Sequence, residues 1–144
     1  MIRITKEFKF EMAHALHGYD GLCKNIHGHS YRLWITLRGH VLKSKNDKKD
    51  GMLMDFDILK SIVKPEIVDK YDHSLVLNGK TSHAKIDLTA FEKVFLLPYQ
   101  PTSENLVADF ALKIAKKLPE GIELYKVVLS ETATSFAEWH SQDQ

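Results

Sequence analysis

The chain reads as an α+β domain: a four-stranded antiparallel sheet with two main helices laid over one face, in the order strand, strand, helix, helix, strand, strand. Three observations predict this. Apolar and polar residues alternate with period two from Ile2 to His40, two capped stretches in the middle place apolar residues at helical spacing, and the period-two pattern returns after Gly121.

The first strand carries Ile2, Ile4, Lys6, Phe8, Phe10, Met12 and His14 on its even positions, against mostly polar odd ones. Residues 15–26, with Gly18, Tyr19-Asp20-Gly21 and Cys23, read as a loop. A second strand runs from about His27 to His40 with His27, His29, Tyr31, Leu33, Ile35 and Leu37 on one face; Trp34 is the exception on the polar side. Residues 42–51 are a charged, solvated turn. Asp55 caps a helix that sets Phe56, Leu59, Ile62 and Val63 on one face, is kinked or divided at Pro65, and ends near Lys70. The stretch 79–100 has no clear period: Ala84 to Phe95 reads as a short helix or as irregular chain, and Pro98 ends it. Pro101 to Asn105 opens the clearest helix, with Thr102 or Ser103 as cap, Glu104 in the first turn and a stripe of Leu106, Val107, Phe110, Ile114 and Leu118. After Pro119-Glu120-Gly121 comes a strand with Tyr125, Val127, Leu129 and Glu131 on one face, a turn at Thr132 to Thr134, and a last strand from Ser135 to His140.

The bulk composition narrows the function. A chain of 144 residues, 44% hydrophobic and 27% charged, has the size of one domain spanning 1–144. A net charge of +1 supplies no footprint for nucleic acid or an anionic membrane, so small molecules or protein partners are expected. No long apolar run or leader-like N-terminus is present, and a cytoplasmic protein is expected. One cysteine allows no internal disulfide, while eight histidines tilt the chain towards metal or acid-base chemistry.

The chemistry gathers at Cys23 to His29, the stretch Cys-Lys-Asn-Ile-His-Gly-His. Residues two apart on a strand share a face, so His27 and His29 present both imidazoles to one side. A lone His-Gly-His more often holds no metal than one. His14 changes the balance, because antiparallel pairing of the first two strands brings it beside them. Three imidazoles with an open fourth position make a catalytic zinc site; a closed four-histidine site completed by His73 is the competing arrangement. Asp72-His73 is a carboxylate orienting an imidazole, suited to passing protons near neutral pH or simply to satisfying a loop. Cys23, set in a polar loop, becomes a base once positive charge lowers its pKa. Glu131 either pairs with a cation or accepts from a ligand with adjacent N–H donors, such as the guanidine-like edge of a heterocycle. A hydrolase with Cys23 as nucleophile and a structural zinc module are the alternatives.

These pieces resemble the 6-pyruvoyltetrahydropterin synthase and 6-carboxytetrahydropterin synthase family. The matching motifs are Phe10 to His14, Cys23 to His29, Gly51 to Phe56, Tyr71-Asp72-His73 with Leu77-Asn78, Pro101 to Asn105, and Ser130-Glu131-Thr132, in register along nearly the whole chain. The resemblance implies the tunnelling fold, with subunits joined into trimeric barrels, two barrels stacked as a homo-hexamer, and active sites between subunits. It implies Zn2+ on His14, His27 and His29, Cys23 as general base, Asp72 and His73 as proton relay, Glu131 holding the pterin ring, and Thr102 and Ser103 helping to bind it. The implied substrate is 7,8-dihydroneopterin triphosphate. The three-residue gap between Cys23 and His27 resembles the carboxy-forming branch, which releases acetaldehyde and triphosphate and feeds queuosine and deazapurine synthesis; the pyruvoyl-forming branch has a longer gap. A third branch, which trims dihydroneopterin for folate synthesis, tends to carry glutamate where this chain has Cys23. Loop 42–51 and segment 79–100 are longer than the compact bacterial pattern, and Lys24, Arg32 and the loop lysines are candidates for binding the triphosphate.

Overall fold

The computed structural model describes the whole chain, Met1–Gln144. Its strands are β1 (Ile2–His14), β2 (His27–Gly39), β3 (Ser74–Asn78), β4 (Val94–Leu97), β5 (Ile122–Ser130) and β6 (Phe136–His140). They form one sheet in the order β4-β3-β1-β2-β5-β6. β1 and β2 pair antiparallel along their full length, from Ile2 opposite Gly39 to His14 opposite His27. The sheet thus has six strands rather than the expected four, and it is mixed rather than antiparallel: β3 runs parallel to β1, and β4 parallel to β3. The missed strands lack the signal that revealed the others. Ser74 to Leu77 are all buried, so β3 has no polar face to alternate, as is usual for parallel strands. In segment 79–100 the structure has a 3-10 turn at Ser82–Lys85, irregular chain, and then β4.

Helices cover one face. α1 (Phe56–Val63) starts at Asp55, whose Oδ1 accepts from the Asp57 N–H at 2.9 Å. Pro65 does not divide the helix. It sits in a π-helical turn, Lys64–Val68, that carries the chain into the short α2 (Asp69–Tyr71). α3 (Ser103–Ala115) is capped by Thr102, whose hydroxyl accepts from the Asn105 N–H at 3.3 Å. Leu59, Val63, Ile67, Phe110 and Ile114 pack on Phe10, Tyr31, Leu33, Ile35 and Leu129 of the sheet, all of them buried. The Phe10 and Tyr31 rings stack with centroids 5.3 Å apart, and Phe110 meets Phe10 edge-on at 6.3 Å. Phe56, expected on the buried stripe, is instead 44% exposed.

The uncovered face is polar. Thr5 and Thr36 share a hydrogen bond at 2.9 Å, Arg32 Nε donates to Glu7 at 2.6 Å, and the Arg32 guanidinium lies over Trp34, which accounts for a tryptophan on this side. Tyr125 also lies here, contrary to expectation. The β2–β5 register slips between Thr36 and Leu37, so Leu124 takes the core position while Arg3 and Arg38 stack on the Tyr125 ring. No helix is long and apolar enough to cross a membrane.

Candidate active site

His14 ends β1 on the helix-covered face and is 2% exposed. Its Nδ1 donates to the Pro101 carbonyl at 2.7 Å, and His27 Nδ1 donates to the Asn25 carbonyl at 2.8 Å. A carbonyl oxygen can only accept, so both rings carry their proton on Nδ1 and present a bare Nε2. Those two Nε2 atoms are 3.0 Å apart. Two lone pairs aimed at one another at that distance repel unless a cation lies between them. His29 completes the group, the three donor atoms lying within 4.8 Å of one another. Burial holds the His14 imidazole below its ordinary pKa, with His27 and His29 adding to it against the Pro101 carbonyl and Glu131; burial lowers His29 likewise. Neutral rings are the form that binds a metal. Donors on a tetrahedral zinc lie about 3.3 Å apart for Zn–N near 2.0 Å, so the set fits a small divalent transition ion with little movement.

Glu131 stands just beyond β5, with its N–H donating to the Ser135 carbonyl at 3.3 Å. Its Oε1 accepts from the Tyr31 hydroxyl at 3.4 Å and lies 3.9 Å from His14 Nε2. Burial, then the Glu131 charge, pushes the Tyr31 hydroxyl far above its ordinary pKa, so it stays a donor. Thr102 and Ser103 follow the Pro101 carbonyl that fixes His14; the Thr102 hydroxyl caps α3 and Ser103 is buried. Cys23 lies half-buried on a 3-10 turn, Leu22–Lys24, in the loop between His14 and His27, and its carbonyl accepts from the Leu16 N–H at 2.9 Å.

Asp72 and His73 are not members of the three-histidine donor group, although His73 shares a cleft with His29. Asp72 Oδ1 accepts from the Glu11 N–H at 2.8 Å, its Oδ2 accepts from His73 Nδ1 at 2.9 Å, and the His73 N–H donates to the Glu11 carbonyl at 2.6 Å. The Glu11 amide, then the bond from His73, holds the Asp72 carboxyl below its ordinary pKa. Lys93 Nζ donates to the carbonyls of Asp69 and Asp72 at 2.6 and 2.5 Å, bracing the helix end. His73 is the one non-glycine residue with positive φ, at 57°, and its side chain is 78% exposed. It lines an open cleft of about 840 Å³ with Glu11 and Ser30, whose side chains bond to each other, and with His29 of the trio. The closed four-histidine arrangement is therefore not formed: the donor group has three members and His73 is outside it. Sequence reasoning also missed two supports. Tyr31 was legible as a site residue from its place two beyond His29, whereas the Pro101 carbonyl leaves no side-chain signal.

A family model described as 6-pyruvoyl tetrahydropterin synthase matches residues 3–142. The chain is 38% identical to a 6-carboxy-5,6,7,8-tetrahydropterin synthase of Haemophilus influenzae, over 96% of this chain and 99% of that one. It is 32% identical to the protein of the same name from Rickettsia bellii, at the same coverage. Among solved structures, the 6-pyruvoyl tetrahydropterin synthase of Caenorhabditis elegans superposes with a TM-score of 0.69 at 25% identity, covering 97% of this chain and 95% of that one. The Plasmodium falciparum 6-pyruvoyl tetrahydropterin synthase shares the fold at 21% identity and a TM-score of 0.69, over 97% of each chain.

Proposed function

The chain belongs to the 6-pyruvoyl tetrahydropterin synthase family, and from that premise we propose that it is a 6-carboxytetrahydropterin-forming lyase, a single pterin synthase domain over 1–144. It converts 7,8-dihydroneopterin triphosphate to 6-carboxy-5,6,7,8-tetrahydropterin with release of acetaldehyde and triphosphate. The observation that carries the chemistry is the pair of bare Nε2 atoms of His14 and His27, 3.0 Å apart and each fixed by a carbonyl behind its ring. The curated relatives cited above, which the chain matches almost end to end, carry the carboxy-forming name, and the Cys23-to-His27 gap agrees with it.

His14, His27 and His29 would hold zinc, which when bound supplies Lewis acidity to the substrate's side-chain hydroxyls and the adjoining C–H. Glu131, oriented by the Tyr31 hydroxyl, accepts from the ring N–H donors of the pterin. Thr102 and Ser103, at the start of α3 beside the Pro101 carbonyl that fixes His14, help to bind the pterin. Cys23 acts as the base that removes a proton from the substrate's side chain, and His73, oriented by Asp72, moves protons on and off it.

The His73 side chain is 78% exposed and lies outside its own chain's three-histidine group. The relay at each metal centre is assigned, as the family resemblance implies, to Asp72 and His73 of a neighbouring subunit, with a homo-hexamer of two stacked trimeric barrels as the working form. The open edges support this: β4 and β6 end the sheet with no further partner, and Leu96 and Phe136 on them are exposed. A cytoplasmic place in queuosine synthesis follows from the product. Incubating zinc-loaded protein with 7,8-dihydroneopterin triphosphate and weighing the products tests the reading. Acetaldehyde and the 6-carboxy product in equal amounts are expected; a 6-pyruvoyl product without acetaldehyde would move the chain to the other branch.

A further inference from the structure

A second imidazole pair lies at the same end of the sheet. The His17 and His83 rings meet edge-on with centroids 5.0 Å apart, and His17 Nε2 is 2.9 Å from the Ser82 hydroxyl. The pair is tied to the metal-type trio through backbone. The His17 N–H donates to Gln100 Oε1 at 3.2 Å, and Gln100 Nε2 donates to the His17 carbonyl at 2.9 Å. Gln100 precedes Pro101, whose carbonyl fixes His14, and its own carbonyl accepts from Asn105 Nδ2 at 2.9 Å. His17 follows His14 by three residues, a reach of about 10 Å in extended chain.

His83 sits on the 3-10 turn Ser82–Lys85, where its N–H donates to Thr81 Oγ1 at 3.3 Å. Its Nδ1 is the one buried side-chain nitrogen or oxygen in the chain without a hydrogen-bond partner. Burial, then the neighbouring His17, holds that imidazole below its ordinary pKa, and a nearby anion would offset both effects. Lys80 and Lys85 lie within three residues of His83 along the chain, both are exposed, and neither enters an ion pair. Of the other basic candidates, Arg32 is held by Glu7 and Trp34 on the uncovered sheet face, and Lys24 ends the Leu22–Lys24 turn beside Cys23.

We propose that His17, Ser82 and His83, with Lys80 and Lys85 at the rim, form the subsite for the oligophosphate tail of the substrate. This rests on the reading that the substrate is a pterin bearing a triphosphate. The trio takes the reacting carbons, and the tail, which must leave as a polyanion, extends along residues 15–17 to the second pair. There a ring N–H of His83, the serine hydroxyl and two lysine point charges meet its oxygens and stabilise the charge that develops as it departs.

The test is direct binding of inorganic triphosphate to the zinc-loaded protein by calorimetry, which needs no turnover and so stands apart from the product assay. Wild type should bind it saturably. Both His17→Asn/His83→Gln and Lys80→Met/Lys85→Met should bind at least tenfold more weakly, with the KM for 7,8-dihydroneopterin triphosphate rising in step and zinc content unchanged. Lys116→Met, on the far end of α3, controls for loss of charge alone. No saturable binding by wild type, unchanged affinity in both double variants, or an equal loss in Lys116→Met would each overturn the assignment.

Discussion

The three histidines and the Asp72–His73 pair stand in opposite states of readiness. His14 is 2% exposed and locked by a carbonyl, whereas His73 is 78% exposed at a left-handed backbone position. The trio is assembled within one chain, its three donor atoms lying within 4.8 Å of one another. Asp72 and His73 are also held by hydrogen bonds, with Glu11 on one side and from Lys93 on the other, but His73 stands at the open cleft that it shares with Glu11, Ser30 and His29, outside the donor group.

Breaking the trio should have the largest effect. His27→Ala and His14→Ala should lose bound zinc, from about one ion per chain to none, and all turnover with it, as read by metal analysis and product formation. Zinc retained at full occupancy in both variants would refute the ligand assignment. Breaking the relay should leave the metal in place: His73→Ala and Asp72→Asn keep full zinc content while kcat falls about 10²- to 10⁴-fold. If zinc is lost as well, the two regions are not separate. A smaller effect belongs to Tyr31→Phe, which removes the donor that orients Glu131. One hydrogen bond is worth about 1 kcal/mol, so KM should rise about fivefold with kcat nearly kept.

The smallest effect is on stability. The Asp72 carboxyl is held below its ordinary pKa, so its contribution is present above the unfolded value near ~3.9 and is lost as pH falls through the folded value. Asp72→Asn should therefore melt slightly below wild type at pH 7, and the gap between the two should shrink as pH falls below about 3.9. A gap that widens in acid would contradict the sign.

The trio was legible in the sequence because period-two alternation and antiparallel pairing are both local: once β1 and β2 were read, His14 had to meet His27 and His29. The face on which Asp72 and His73 lie was not. It depends on β3 running parallel to β1, and β3 is buried throughout and carries no alternation. The same limit hid the bulge that turned Tyr125 away from the core. The carbonyl that sets the His14 tautomer comes from Pro101, 87 positions along the chain, and a backbone oxygen writes nothing into the sequence.

The sharpest measurement is complementation between the two regions. His27→Ala and His73→Ala chains, separately tagged and co-expressed, are purified as mixed oligomers, loaded with zinc and assayed for the 6-carboxy product. Each parent lacks one half of the site, so both should be inactive, while the mixed oligomer should regain a measurable fraction of wild-type turnover. A mixed oligomer no more active than its parents would mean that each chain works with its own Asp72 and His73, and the division of the site between protomers would be wrong.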